Sequence, residues 1–132
     1  MTIVLDHTIV PVGDRRRSAQ LLGALVGVEP DEPNGPFIPL RVNAELTLDF
    51  DERFGPRPGH YAFLVDDERF DRAVEKAVML RLEWGSAPRV SDRRIDKNGE
   101  ARRVYIRDPD GIAYEFFTAD PRPEQTAGCA SF

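Results

Sequence analysis

The sequence predicts an α+β fold in which one order of elements, a strand, a helix and then several strands, occurs twice. Three observations predict it. The spacing of apolar residues switches from a period of two to a helical period and back again in each half. A stretch without regular pattern and with two prolines, Phe54-Gly-Pro-Arg-Pro-Gly59, separates the halves. Each half also carries a histidine on its first strand and an apolar, acidic, aromatic triplet on its last: His7 with Leu48-Asp49-Phe50, then His60 with Tyr114-Glu115-Phe116. The expected organisation is one domain over 1–119, with module one at 1–53, a linker at 54–59 and module two at 60–119. A flexible C-terminal tail is expected over 120–132.

In the first half, Ile3 to Val10 is rich in β-branched residues and reads as a strand. Gly13 offers a turn and Asp14 an N-cap for a helix from Arg15 to Val26, whose apolar side carries Leu21, Leu22 and Leu25. A proline-, glycine- and asparagine-rich loop spans Pro30 to Pro36. Short strands are expected at Phe37 to Arg41 and Glu45 to Phe50, with another around Val28 left open. In the second half, His60 to Val65 is a strand and Asp66 or Asp67 caps a helix. Phe70, Ala73, Val74 and Ala77 give that helix its apolar face. Leu82 to Val90 reads as an interrupted strand. Arg102 to Arg107 and Ile112 to Thr118 read as strands joined at the Asp108-Pro-Asp-Gly111 turn.

The composition bounds the function. With 132 residues, 41% hydrophobic and 31% charged, the chain is expected to fold around a real core. A net charge of −5 argues against a nucleic-acid partner, which would need a basic surface. The only cysteine, Cys129, rules out an intrachain disulfide or a cysteine-built zinc site and suits a reducing cytoplasm. No signal peptide and no membrane span are expected, because residues 1–10 lack the basic and apolar pattern of a leader and no uncharged apolar stretch is long enough.

His7 and His60 are the chain's two histidines. Period two places His7 on a face with Ile3, Leu5 and Ile9, where its ring nitrogens need a partner, a water or a metal. Glu115 lies on the face of Ala113 and Phe117, where an unpaired carboxylate is costly. A divalent cation held by both imidazoles and the carboxylate would satisfy all three, in a two-His, one-carboxylate set with open positions for substrate. The competing reading is three ordinary strand residues, packed or solvated.

The motifs resemble the vicinal oxygen chelate superfamily, which includes glyoxalase I, extradiol dioxygenases, fosfomycin-resistance transferases and bleomycin-resistance proteins. Leu5-Asp-His7 resembles its opening motif, Gly59-His-Tyr-Ala-Phe63 the start of its second module, and Tyr105-Ile-Arg-Asp-Pro-Asp-Gly111 followed by Glu115 its closing motif. The resemblance covers about Ile3 to Thr118. It implies two βαβββ modules forming a curved, partly open mixed-sheet barrel with helices outside. It also implies His7, His60 and Glu115 as ligands of a divalent ion (Fe, Mn, Zn, Ni or Co), a small-molecule substrate and a homodimer. In some members the metal site is built from both chains, which would bring His7 from a different subunit than His60 and Glu115.

The resemblance further implies Lewis-acid chemistry on a small oxygenated metabolite by a lyase, isomerase, transferase or dioxygenase. Asp49 matches the position of a fourth carboxylate ligand in glyoxalase I, one methylene shorter, and is a candidate ligand or general base. It also sits in an acidic stretch with Asp51 and Glu52 that reads equally as a solvated turn. No third histidine is left for the proton transfer of extradiol dioxygenases, so Tyr61, Tyr105 or Tyr114 would have to serve. Tyr105 matches the substrate-binding tyrosine of the fosfomycin-resistance branch, and Arg103 shares its strand face as a candidate substrate contact. Ile9 replaces that branch's threonine, and the loop from Val90 to Gly99 lacks its serine-rich pattern. Arg93, Arg94 and Lys97 in that loop read mainly as a solvated turn. The alternative function is a metal-independent small-molecule binder of the bleomycin-resistance type.

Overall fold

The computed structural model describes residues 2–119; the expected tail over 120–132 lies outside the described residues. Ten elements follow in order: β1 (His7–Pro11), α1 (Arg15–Val26), β2 (Phe37–Arg41), β3 (Thr47–Asp51), β4 (His60–Leu64), α2 (Asp67–Met79), β5 (Glu83–Gly85), β6 (Asp96–Asn98), β7 (Ala101–Arg107) and β8 (Ala113–Phe117). They build a mixed α+β fold with two mixed sheets that are not joined into a barrel. The first sheet has the order β1-β3-β2 and the second β4-β8-β7-β5, with β6 pairing β7. In each, the first strand of the half runs parallel to the last, β1 along β3 and β4 along β8.

Local chemistry sets the helices. The Asp14 carboxylate accepts from the Arg17 amide and caps α1, a contact worth about 1 kcal/mol. Gly27 ends α1 in the left-handed region at φ 77°, where its amide and that of Val28 return to the Gly23 carbonyl. Asp66 caps α2 through the Arg69 amide. The two helices pack against each other, and one buried core runs through both halves. From the sheets come Val10, Ile38, Leu40, Leu48, Phe50, Val104, Ile106, Tyr114 and Phe116; from the helices Leu22, Leu25, Phe70, Ala73 and Ala77. One face of each sheet is therefore consumed by helices, and the opposite face stays open for polar residues.

Several boundaries differ from the sequence expectation. The first strand begins at His7 rather than Ile3, because its partner β3 begins at Thr47, whose amide already bonds to the Asp6 carbonyl. Ile3, Val4 and Leu5 are left exposed. The strand expected over Leu82 to Val90 is only Glu83–Gly85. Beyond it Ser86 turns to donate its amide and hydroxyl to Asp92, and Pro88 has no amide to continue the ladder. Val28 belongs to the cap of α1 rather than to a strand. The short β6 has no apolar alternation and so left no signal.

Candidate functional site

On the open face of the second sheet, strand register lays side chains out in rows. His60, Ala113, Arg107 and Glu83 lie side by side, as do Ala62, Glu115, Tyr105 and Gly85 in the next row. A third row runs Leu64, Phe117 and Arg103. Glu115 lies diagonally from His60, and the imidazole Nε2 donates to Oε1 at 2.8 Å. The other carboxylate oxygen forms an ion pair with Arg103 Nε at 3.2 Å. Tyr105 sets its ring edge-on to the His60 imidazole, centroids 6.0 Å apart. Glu115, whose side chain is 12% exposed, is thus held from two sides at the middle of the sheet. The Arg103 pKa is raised, chiefly by the Tyr105 hydroxyl and also by Glu115 and Asp96, against the effect of burial.

The first sheet presents the matching face less completely. His7, Thr47 and Arg41 form a row, with Ile9, Asp49 and Pro39 in the next. An open cleft of about 410 Å³ elsewhere on the molecule, beside Trp84, contains none of these residues. His7 and Asp49 instead line a shallow, strongly acidic cleft of about 530 Å³ with Asp6, Asp31 and Arg41. His7 Nδ1 is bonded to its neighbour Asp6 at 2.8 Å. That bond is the main reason its pKa is raised, with burial opposing and Asp49 adding a smaller electrostatic contribution. The acidic turn beyond Asp49 is already engaged: Asp51 is buried against Arg53, and Glu52 pairs with Arg15. Among the described residues no cation lies within ion-pair distance of Asp49.

The structure therefore brings His60, Glu115, Tyr105 and Arg103 together and places His7 and Asp49 together on the other sheet. Among the described residues, no group of three or more His, Cys, Asp or Glu converges as a metal site within one chain. Of the three tyrosines, only Tyr105 faces this side. Tyr61 and Tyr114 pack against each other on the helix side, where burial raises both phenol pKa values. The loop over 86–95 crosses the open face at Gly85: a β-carbon there would strike the Val90 carbonyl and the Asp92 carboxylate. Sequence reasoning passed over Arg107 and Arg41. The signal for Arg107 was available, since period two places it on the same face as Arg103 and Tyr105.

The chain is 34% identical to oxidase ChaP-H2, with a TM-score of 0.83, over 91% of this chain and 96% of that one. It is 38% identical to oxidase ChaP-H1, with a TM-score of 0.81, over 90% and 98%. The fold is shared at 20% identity by the fosfomycin resistance protein FosX from Mesorhizobium loti, with a TM-score of 0.68 over 92% and 96%. No protein-family model and no curated protein matches the chain.

Proposed function

Because the chain belongs to the vicinal oxygen chelate superfamily, we propose that it is a divalent-metal-dependent enzyme acting on a small oxygenated metabolite. The observation that carries this reading is the contact between His60 and Glu115: an imidazole nitrogen and a carboxylate oxygen 2.8 Å apart on an open sheet face, close enough to share one ion. A borderline or hard divalent ion (Fe, Mn, Zn, Ni or Co) suits this nitrogen and oxygen donor set. When bound, it acts as a Lewis acid that chelates neighbouring substrate oxygens and stabilises charge developing on them. Among lyase, isomerase, transferase and dioxygenase chemistries, the description of two relatives as oxidases favours an oxidative reaction on a dioxygenated substrate.

The chain's own residues divide the remaining work. Arg103 orients the second oxygen of Glu115 and fixes the carboxylate toward His60. Tyr105, buried to 7% exposure and edge-on to His60, offers a hydroxyl to bind substrate and to donate or accept a proton. The third ligand is His7 of a second copy of the chain, in a homodimer whose sites are each built from both subunits. Two features support the dimer. β1 and β4 are both edge strands with one unpaired side, and exposed apolar residues cluster on them and just before β1: Ile3, Leu5, Ile9 and Leu64. In this arrangement Asp49 would approach the same site as a fourth ligand or general base.

The test is metal analysis of the purified protein beside His60→Ala. Wild type is expected to hold one divalent ion per chain at micromolar concentration, and the variant to lose it. The second reading is a metal-independent small-molecule binder of the bleomycin-resistance type. It is favoured by the described residues of one chain bringing no three His, Cys, Asp or Glu together, only His60 with Glu115. Failure of wild type to retain or recruit any of the five metals would reject the enzyme in favour of that binder.

A further inference from the structure

Arg107 stands in the row His60, Ala113, Arg107, on the open face and on the far side of Ala113 from the imidazole. Ala113 contributes only a methyl group, so the floor between imidazole and guanidinium is low. Two strand spacings, on the order of 10 Å between backbones, separate the residues on either side. The guanidinium Nη2 is in contact with the Ser91 hydroxyl in the loop over 86–95. Among the described residues no carboxylate lies within 4 Å of the guanidinium, Glu83 in the same row included. Nη1 is buried without a hydrogen-bond partner, a state that costs free energy until an acceptor arrives. Arg103 Nε likewise lacks a hydrogen-bond partner, but its charge is paired with Glu115 at 3.2 Å.

The internal repeat places a guanidinium at the same point of the other half. There the row reads His7, Thr47, Arg41, and among the described residues Arg41 has one ion pair, with Asp31 at 3.9 Å, in the acidic cleft it shares with Asp6 and Asp49. A positive charge two strands from the histidine is thus present on both faces, although the strands that carry it share no sequence motif.

We infer that Arg107 is an anion-binding residue of the site. The substrate accordingly carries an acidic group, a carboxylate or an equivalent oxyanion, on the Arg107 side of its neighbouring oxygens. This inference rests on the functional reading above for the position of those oxygens, but Arg107 itself binds the anion without the metal. With Nη2 in contact with Ser91, Nη1 is the donor left for such a group.

Two measurements separate the inference from the metal reading. In the metal-free protein, benzoate is titrated and followed by amide NMR. Shifts confined to Tyr105–Asp108 and the neighbourhood of Ser91 are expected, present in Arg107→Lys and absent in Arg107→Gln. In the cobalt-loaded protein, catechol and 3,4-dihydroxybenzoate are compared by visible absorption. The carboxylated ligand is expected to bind about tenfold more tightly in wild type, with the preference lost in Arg107→Gln and reduced in Ser91→Ala while catechol affinity is unchanged. No benzoate response in the folded wild type, or a carboxylate preference that survives Arg107→Gln, overturns the inference. Benzoate shifts that depend on Arg107 in a protein that holds no cobalt would uphold it and reject the metal reading alone.

Discussion

The two halves of this chain solve the same geometric problem with different outcomes. Both run their first and last strands parallel, and both set the histidine and the acid on the same diagonal: His7 opposite Thr47 with Asp49 two residues on, and His60 opposite Ala113 with Glu115 two residues on. In the second half imidazole and carboxylate meet at 2.8 Å. In the first they do not, and His7 bonds to Asp6 instead. The difference is one methylene and one neighbour. Aspartate is too short to cross the diagonal that glutamate crosses, and a carboxylate beside His7 in sequence captures its Nδ1. Arg103 then steadies Glu115 from the other side, whereas its counterpart position in the first half, opposite Asp51 on β2, is Phe37. A repeat can thus preserve backbone register while one half holds a preformed donor pair and the other a single exposed imidazole.

The largest expected effect comes from removing the acid from each half. Glu115→Gln should weaken divalent metal binding by about 100-fold or more, exceeding the loss typical of outer-shell partners. Asp49→Asn should weaken it by about tenfold, the lower end of the range for a residue beyond the ligands. Competition against a metal indicator measures both. Equal losses would make Asp49 a full ligand and the two halves functionally equivalent.

Next in size is complementation between halves. His7→Ala and His60→Ala proteins should each lack metal. If one site draws His7 from one chain and His60 and Glu115 from another, mixing and refolding them together restores one intact site per mixed dimer. A random mixture should then recover about a quarter of the wild-type metal content. No recovery, with dimers confirmed by sedimentation, would mean that each chain supplies its ligands alone.

Much of this was legible in the sequence, for physical reasons that differ residue by residue. The helix at Arg15–Val26 was readable to its ends because Asp14 and Gly27 are chemically committed to their capping roles. The Asp108-Pro-Asp-Gly111 turn was readable because the Asp108 carboxylate accepts the amides of Asp110 and Ile112, which few other side chains could do. His7, His60 and Glu115 stood out in the sequence as polar groups on strand faces, and the repeat made the histidines equivalent, but grouping them as ligands with Tyr105 beside them was what the resemblance implied. What was not legible depended on contacts between segments distant in sequence. That the sheets β1-β3-β2 and β4-β8-β7-β5 stay unjoined depends on which strands pair across the chain. The capture of His7 by Asp6 is a rotamer choice, and the trimming of the strand after Leu82 follows from Asp92 reaching back to Ser86. The strand face of Arg107 could be read from period two, but its contact with Ser91, sixteen residues away, could not.

That loop has no counterpart in the first half, and Gly85→Ala tests what it contributes. The added β-carbon meets the Val90 carbonyl and the Asp92 carboxylate, neither of which can yield without moving the loop. The expected cost is about 2 kcal/mol of stability by urea unfolding. An equal-stability variant would mean that the loop moves freely over β5 and does not fix Arg107.

The smallest effect lies in how each half buries an aspartate beside its sheet. Hydrogen bonds and charge from Arg53 hold the Asp51 pKa below the ordinary carboxylate range. Its contribution to stability is therefore present above that range and lost as pH falls through the lowered value. Asp108 is shifted the other way, chiefly by burial and despite the two backbone amides it accepts. Its folded state prefers the proton, so the associated stability is present at low pH and lost as pH rises through the raised value. The two asparagine variants should consequently show opposite pH dependence. The penalty of Asp51→Asn should shrink between about pH 7 and pH 3.5, while that of Asp108→Asn, which keeps an acceptor oxygen for the amides of Asp110 and Ile112, should grow over the same interval. Urea unfolding of both variants at the two pH values measures the slopes. Slopes of the same sign would show that Asp108 keeps its charge in the folded protein as Asp51 does, and that burial alone does not distinguish the two halves.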